Sequence, residues 1–313
     1  MKIFKNKVAL LLAMLMLVMG LAGCGEKAGN EGKDNAKVEV EKTAYPLTVT
    51  DTNGESVTIE KEPQKIVSVA PNLTELVYKL GAQDMLVGRS DYCDYPAETA
   101  NVESVGTIKA PDIEKIISLN PDLVIVSTHF DEENTEKLAD AGIQVLTLYD
   151  QGDVNGVYTV IDTLGQAINK NEEAAACINE MKTTIADVDS KVKDLEKPTV
   201  YYVVGYGEYG DYTAGGDTFI HGILEAAGGD NIAKDISGWS ISLEVLVEAD
   251  PEIIIINESM KDDFMSSPTY CELTAVKEGR VYTLDINMLE RQGYRNAEGI
   301  KAVAQILHPE AFK

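Results

Sequence analysis

Tyrosines alternate with glycines in one short stretch of this chain, GYGEYGDYTAGG, at residues 205–216. Glycine lets the backbone approach another molecule closely, and tyrosine offers a flat apolar face with a polar tip. Tyr206, Tyr209 and Tyr212 therefore stand in a setting that suits noncovalent binding of an organic molecule.

Three other stretches carry side chains that can stack on a ligand or hydrogen-bond to it. The loop SDYCDYP is rich in tyrosine, although such a loop can also be a simple capped turn. Trp239, the only tryptophan, is often the kind of residue found in a core, but its Gly and Ser neighbours favour an exposed position. The stretch LDINMLERQGYR combines carboxylates with guanidinium groups. The candidates in the first and third of these stretches are Tyr92, Asp94, Tyr95, Asp285, Glu290, Arg291 and Arg295.

Residues typical of catalysis are scarce. The three histidines, His129, His221 and His308, are far apart in the chain. We find no GxSxG, HExxH or P-loop motif, and no Cys/His spacing that suggests zinc. A carboxylate pair of the glycosidase type stays open, because any two of the 52 acidic residues could form one. We predict a protein that binds rather than catalyses, without cofactor or metal, and keep an exported hydrolase as the alternative.

The chain also repeats itself. IEKIISLNPDLVIV, residues 113–126, matches LEVLVEADPEIIII, residues 243–256, at an offset of 130. Each copy predicts a short helix, a proline turn and a buried strand. Glu114 and Glu244 lie in the first helical turn, where a carboxylate stabilises the helix dipole by about 0.3–1 kcal/mol. Helix stability explains only in part why both copies carry a glutamate there. The positions expected to pack on the sheets are Ile113, Ile116 and Ile117, and Leu243, Leu246 and Val247.

Strands alternate with helices on both sides of a long helical stretch. A hairpin is predicted over residues 47–63, and residues 171–196, which lack Gly and Pro, predict one long helix. The fold class is therefore α/β: two lobes, each with a mainly parallel sheet flanked by helices, joined by one long α-helix. The predicted divisions are an N-terminal lobe over residues 45–168, the connecting helix over 169–197 and a C-terminal lobe over 198–313.

The N-terminus carries an export signal. Three lysines precede an apolar run over residues 8–19, and LAGC at residues 21–24, which resembles a bacterial lipobox, follows soon after it. We predict a signal peptide over residues 1–23, lipidation of Cys24 and a flexible tether over residues 24–44. The protein would then be extracytoplasmic and anchored to the cell membrane by lipid.

Charge and cysteine content set two further limits. The net charge of -25 argues against nucleic acid as a partner, because a phosphate backbone requires Lys and Arg. Cys93, Cys177 and Cys271 are an odd number for an exported protein, so their redox state stays open.

Residues 63–312 resemble the substrate-binding proteins of ABC importers, in the subclass whose two lobes are joined by a single long helix. The resemblance implies a small-molecule site in the cleft between the lobes. In that family one surface glutamate of each lobe contacts an arginine patch on one of two permease subunits, and Glu114 and Glu244 match those positions. The expected partners are a small molecule, a permease dimer and, through the lipid, the membrane, with the protein itself a monomer.

The corrinoid-binding members of that family are most similar, through APNLTELVYKLGA, VGRSDYCDYPAE and TAGGDTFIHGILEAAGGDNI. This resemblance implies that Tyr92, Tyr206 and Trp239 pack on the corrin and its base. It also implies that Asp285 and Arg291 bond the amide side chains of the corrin. The full expected ligand-binding set is Asn72, Tyr92, Asp94, Tyr95, Tyr206, Trp239, Asp285, Arg291 and Arg295.

One position departs from the corrinoid pattern. Some B12 binders carry an aromatic residue in the loop before the first repeated helix, whereas this chain has Ile108 in GTIKAPD. A smaller corrinoid such as cobinamide would therefore serve as well as cobalamin. Two rival molecules remain. Haem would need an axial ligand, which His129 could supply. An anionic ferric siderophore would need a basic pocket, for which the three candidate arginines, Arg89, Arg291 and Arg295, are few.

Overall fold

Two parallel sheets, one in each half of the chain, form the framework of the protein. The structure is a computed structural model and describes residues 41–149 and 152–313. The predicted signal peptide, Cys24 and the tether up to residue 40 lie outside the described residues. Among the helices of the described ranges, none combines the length and apolar character that crossing a membrane requires.

The N-terminal lobe contains a four-stranded sheet in the order β4-β3-β5-β6, with every neighbouring pair parallel. The predicted hairpin precedes it as an antiparallel pair, β1 and β2. The elements of this lobe are β1 (Leu47–Thr50), β2 (Ser56–Ile59), β3 (Ile66–Ser68), α1 (Pro71–Lys79), β4 (Leu86–Arg89), α2 (Ile113–Leu119), β5 (Leu123–Val126), α3 (Glu132–Asp140), β6 (Gln144–Thr147) and α4 (Val154–Ala167).

The connecting helix, α5, runs over Asn171–Val192 and packs on both lobes. At 1.5 Å per residue it is about 33 Å long. It ends at Val192, its last buried apolar residue, four residues before the predicted end at residue 196. Leu195, beyond that point, is exposed. Packing of an apolar face supplies most of the stability of a helix, so the helix ends where that packing ends.

The C-terminal lobe repeats the plan with a parallel sheet in the order β12-β11-β7-β9. Together the two sheets confirm the predicted fold class. The elements of this lobe are β7 (Thr199–Tyr202), β8 (Asp211–Tyr212), α6 (Phe219–Ala226), β9 (Asp230–Asn231), β10 (Ser240–Ile241), α7 (Leu243–Ala249), β11 (Ile253–Ile256), α8 (Glu258–Ser266), α9 (Thr274–Lys277), β12 (Val281–Thr283), α10 (Asn287–Glu290) and α11 (Asn296–Leu307).

The sequence repeat becomes a structural repeat, since α2 with β5 matches α7 with β11. Both helices have seven residues and a side chain that caps the first turn: Asp112 accepts from Lys115 N, and Ser242 accepts from Val245 N. Both end in a left-handed residue, with φ 51° at Asn120 and 36° at Asp250. Both following strands are buried along their whole length, as expected for strands covered on two faces.

The prediction of which apolar residues of α2 and α7 pack on the sheets is only partly right. Ile116 and Leu246 are buried, but Ile117, Leu243 and Val247 are exposed. Each helix has about two turns and fully buries one residue near its centre. Ile113 still packs partly against the core of its lobe, whereas Ile117, Leu243 and Val247 present apolar surface to the outside.

Replacing Ile116 by alanine tests this orientation of α2. Ile116→Ala should lower the free energy of unfolding by about 2–5 kcal/mol, because it opens a cavity at a fully buried position. Ile117→Ala is the matched control on the same helix and should cost less than about 1 kcal/mol, because its side chain is 38% exposed. Urea denaturation followed by circular dichroism measures both, and equal losses would contradict the orientation.

Candidate ligand-binding site

A cleft between the lobes contains a cavity of about 360 Å³, which we call the main cavity of the cleft. One wall is formed by the start of α1 and by the residues that follow β5, and the other by the residues that follow α10. In open parallel sheets, ligands bind outside the carboxyl ends of the strands, which is where these wall segments of the N-terminal lobe begin. The lining residues are Ala70, Pro71, Asn72, Ile108, Ser127, Thr128, His129, Glu290, Arg291 and Gln292.

A second cavity of about 250 Å³ adjoins the first and is lined by Tyr92, Thr107, Ile108, Lys109 and His129. Ile108 and His129 line both cavities. The cleft can therefore accept a ligand that spans both spaces and passes these two side chains.

His129 stands at the boundary of the two cavities in an unusual conformation. Its backbone has φ 76°, in the left-handed region that non-glycine residues rarely adopt. Its Nδ1 lies 2.8 Å from Thr128 Oγ1, which leaves Nε2 as the other ring nitrogen for a ligand. The imidazole is exposed, so it can reach a bound molecule.

A carboxylate from the N-terminal lobe and an arginine from the C-terminal lobe meet at the base of the cleft. Arg291 Nη1 lies 2.8 Å from Glu75 Oε1 and 2.7 Å from Asp94 Oδ1. Asn72 adds a third interlobe contact, because its Nδ2 donates to the Gln292 carbonyl oxygen at 3.0 Å. These contacts hold the two lobes together at the base of the cleft.

Arg295, also of the C-terminal lobe, extends this network through contacts to both lobes. Its Nη1 lies 3.5 Å from Glu75 Oε1, and its Nη2 donates to Asp285 Oδ2. Its guanidinium carbon stands 4.2 Å from the centre of the Tyr95 ring, a cation–π contact that again joins the lobes. We call these five charged residues the interlobe ion network: Glu75, Asp94, Asp285, Arg291 and Arg295.

Burial and pairing act in opposite directions on the carboxylates of the network. Burial raises the pKa of Glu75, and the neighbouring Arg291 and Arg295 oppose that shift. The hydrogen bond from Arg291 lowers the pKa of Asp94. Burial would raise the pKa of Asp285, but the bond and charge of Arg295 hold it below its usual value.

Glu290, on the cavity wall, accepts a hydrogen bond from Tyr202 Oη at 3.0 Å. Burial is the main cause that raises the pKa of Glu290.

The predicted aromatic residues do not all come together. Tyr92 lines the second cavity and is 56% exposed. Trp239 is 47% exposed beside β10, as its neighbours predict, but it does not line either cavity described above. Tyr206 packs edge-on against Phe264 and Tyr270, with ring centres 5.0 and 5.3 Å away, and its hydroxyl donates to Met260 O.

The remaining predicted binding groups divide into two sets. Asn72 and Arg291 line the main cavity, whereas Asp94, Tyr95, Asp285 and Arg295 take part in the contacts behind it. Sequence reasoning missed Glu75, whose only signal is an acidic residue among the buried apolar positions of α1. It also did not place Ser127 and Thr128 at the cavity.

Glu114 and Glu244 are exposed in the first turns of α2 and α7. Within the ranges that the structure describes, no cluster of three or more His, Cys, Asp or Glu side chains could hold a metal. Cys93, Cys177 and Cys271 are free thiols, and the first two are buried.

Comparison with known proteins shows which family this chain is similar to. Residues 66–287 match the model of a family described as periplasmic binding protein. The chain is 34% identical to a Bacillus subtilis protein named uncharacterized ABC transporter substrate-binding lipoprotein YvrC, over 99% of each chain. It is 28% identical to a protein of Halobacterium salinarum named cobalamin-binding protein, over 97% of this chain and 85% of the relative.

A solved structure shares the fold. The periplasmic heme-binding protein RhuT from Roseiflexus sp. RS-1, in apo form, superposes with a TM-score of 0.72 over 79% of this chain and 99% of that one. The two sequences are 23% identical, a level at which the likeness concerns the fold alone. The relatives are named as binding proteins, which confirms that this chain is not an enzyme.

Arg291→Ala tests whether the interlobe ion network holds the lobes. It should lower the free energy of unfolding by about 3 kcal/mol, because it leaves Glu75 buried with only the longer contact to Arg295. The control, Lys137→Ala, removes an exposed pair with Glu133 and should leave the stability close to the wild-type value. Urea denaturation measures both variants, and a wild-type midpoint for Arg291→Ala would show that the contacts contribute nothing.

Proposed function

The chain belongs to the periplasmic binding protein family, and from that premise we propose that it captures a corrinoid, cobalamin or cobinamide, for an ABC importer. The observation that carries the proposal is the cleft, whose walls come from both lobes and carry apolar and neutral polar groups, among them Ile108, Asn72, Ser127 and Thr128. Such a lining suits a large organic molecule edged with amide groups. The relative named as a cobalamin-binding protein supports the same choice.

In this proposal the ligand is held by stacking and by hydrogen bonds. Tyr92 and Trp239 are exposed on different lobes and pack on the flat parts of the corrinoid. Tyr206 is half-buried, so it contributes its edge and supports the tyrosine-rich loop. Both ion pairs of Arg291 use Nη1, so its other N–H groups can donate to the carbonyl oxygen of a carboxamide.

Delivery uses the two repeated helices. Glu114 and Glu244 are presented on capped, exposed first turns, one on each lobe, and we propose that each meets an arginine patch on one permease subunit. Each exposed charge pair is worth only about 0.2–1 kcal/mol, so their main effect is orientation. Ile117, Leu243 and Val247 add apolar surface beside them that the permease would cover. Lipidation of Cys24 would keep the protein, as a monomer, beside its permease outside the cytoplasmic membrane.

Haem is the second candidate ligand, and one observation favours it. His129 lies at the boundary of both cavities with Nδ1 engaged by Thr128, so Nε2 is placed to coordinate a metal in a planar ligand.

Visible spectra separate the two ligands. The full chain, purified in detergent, is incubated separately with cobinamide, cyanocobalamin, haemin and a ferric siderophore and then desalted. We expect a retained corrin spectrum, with cobinamide retained at least as well as cyanocobalamin because Ile108 replaces an aromatic residue. A Soret band in the wild type that is lost in His129→Ala would show that the ligand is haem rather than a corrinoid. A folded protein that retains no corrinoid would overturn the proposed ligand.

Charge reversal tests delivery. Glu114→Arg combined with Glu244→Arg should abolish uptake of the ligand by cells and leave its affinity for the purified protein unchanged, because both glutamates lie outside the cleft. Glu60→Arg combined with Glu196→Arg changes the net charge equally at exposed positions off these helices and serves as the control. Uptake by the first double variant at the wild-type rate would rule out the docking role.

A further inference from the structure

The interlobe ion network carries no surplus positive charge. Its two arginines, Arg291 and Arg295, face three carboxylates, Glu75, Asp94 and Asp285, so its formal charge is two positive against three negative. A basic residue in a ligand cleft ordinarily suggests capture of an anion. Here the carboxylates of the network already neutralise both guanidinium groups.

Because these ion pairs are buried, a ligand cannot easily replace Glu75 as the partner of the arginines. The side chains of Glu75 and Arg295 are 4% and 8% exposed, so water cannot solvate Glu75 if its partners turn away. A buried carboxylate that loses its cationic partner is strongly destabilised. A ligand carboxylate could therefore take Arg291 only by leaving Glu75 unpaired. A carboxamide, in contrast, can accept from the remaining N–H groups of Arg291 while both ion pairs persist.

The rest of the main cavity agrees with this distinction. Besides Arg291 and Glu290, its polar lining consists of amide and hydroxyl side chains and one imidazole, those of Asn72, Ser127, Thr128, Gln292 and His129. Arg89, at the end of β4, donates to the carbonyl oxygens of Thr99 and Ser90 and lines neither cavity. Among the described residues that line the two cavities, Lys109 is the remaining permanent cation, and it lies at the smaller one.

We propose that Glu75 is a specificity-determining residue: by neutralising Arg291 and Arg295 it restricts the base of the cleft to ligands that present neutral groups, such as carboxamides, and rejects carboxylates. The proposal rests on the proposed role of this cleft in ligand capture. It does not depend on whether the captured ligand is a corrinoid.

Replacing Glu75 by its neutral isostere tests this role directly. Glu75→Gln keeps the shape of the side chain but leaves Arg295 matched by Asp285 and Arg291 matched by the exposed Asp94 alone. We expect the purified full chain in detergent to bind ferric citrate weakly, and Glu75→Gln to bind it at least about tenfold more tightly. Isothermal titration calorimetry provides the affinity.

Two control variants identify the cause of any gain. Glu180→Gln makes the same charge change on α5, where Glu180 pairs with Lys79 outside the cleft, and should leave ferric citrate binding at the wild-type level. Glu75→Gln combined with Arg291→Gln removes the released guanidinium and should lose the gain. A gain that persists in this double variant would overturn the proposed mechanism.

The remaining outcomes are also decisive. If Glu75→Gln binds ferric citrate no better than the wild type, or if the wild type already binds it tightly, the proposal is wrong. Should Glu75→Gln fail to fold by circular dichroism, Glu75→Met removes the same carboxylate with a side chain of similar length and frees the same Arg291. That variant should improve ferric citrate binding by about threefold, and no improvement would overturn the proposal.

The corrinoid spectra separate this inference from the proposed function. A gain in Glu75→Gln together with no retained corrinoid would remove the proposed ligand but keep the role of Glu75. Retained corrinoid without a gain in Glu75→Gln would keep the proposed ligand but remove the role of Glu75.

Discussion

A carboxylate that folding removes from water must keep its cationic partners, and Glu75 imposes this requirement on the whole cleft. The residue belongs to the first helix of one lobe, whereas Arg291 and Arg295 belong to the other. The lobes must therefore stay in register for Glu75 to remain paired. The same contacts define the base of the cleft, so the interaction that joins the lobes also sets the chemistry that a ligand meets there.

The connecting helix limits how far the lobes can separate. α5 packs against α4 of one lobe and α11 of the other, and one apolar core runs from the first lobe through this helix into the second. A close-packed core of this kind deforms little, so ligand exchange requires small rotations rather than wide hinge opening. Small rotations keep Glu114 and Glu244 at a nearly constant separation, as the proposed docking on two permease subunits requires.

Local patterns predicted much of the architecture, because they depend on neighbours in sequence. The repeated helix, turn and strand follow from apolar spacing and proline position, and the alternation of strands and helices predicted two parallel sheets. Helices α4 and α8 were not predicted. α4 mixes glycine and β-branched residues, which lowers helix propensity, and α8 buries only Phe264. The exposed Leu243 and Val247 were misjudged, since their apolar character does not reveal that α7 fully buries one residue near its centre.

The site was harder to predict than the fold, because its central contact joins residues 216 positions apart. A charged residue in a helix is ordinarily exposed, so Glu75 gave no reason to expect a buried partner for Arg291. Arg291 was instead expected to serve the ligand alone.

A crystal structure of the chain with cobinamide bound tests the account most directly. It should show the corrin ring between the lobes in contact with Ile108 and His129. Arg291 should still be paired with Glu75 while it donates to a ligand carbonyl oxygen. A ligand bound outside the cleft, or Arg291 turned away from Glu75 towards the ligand, would contradict it.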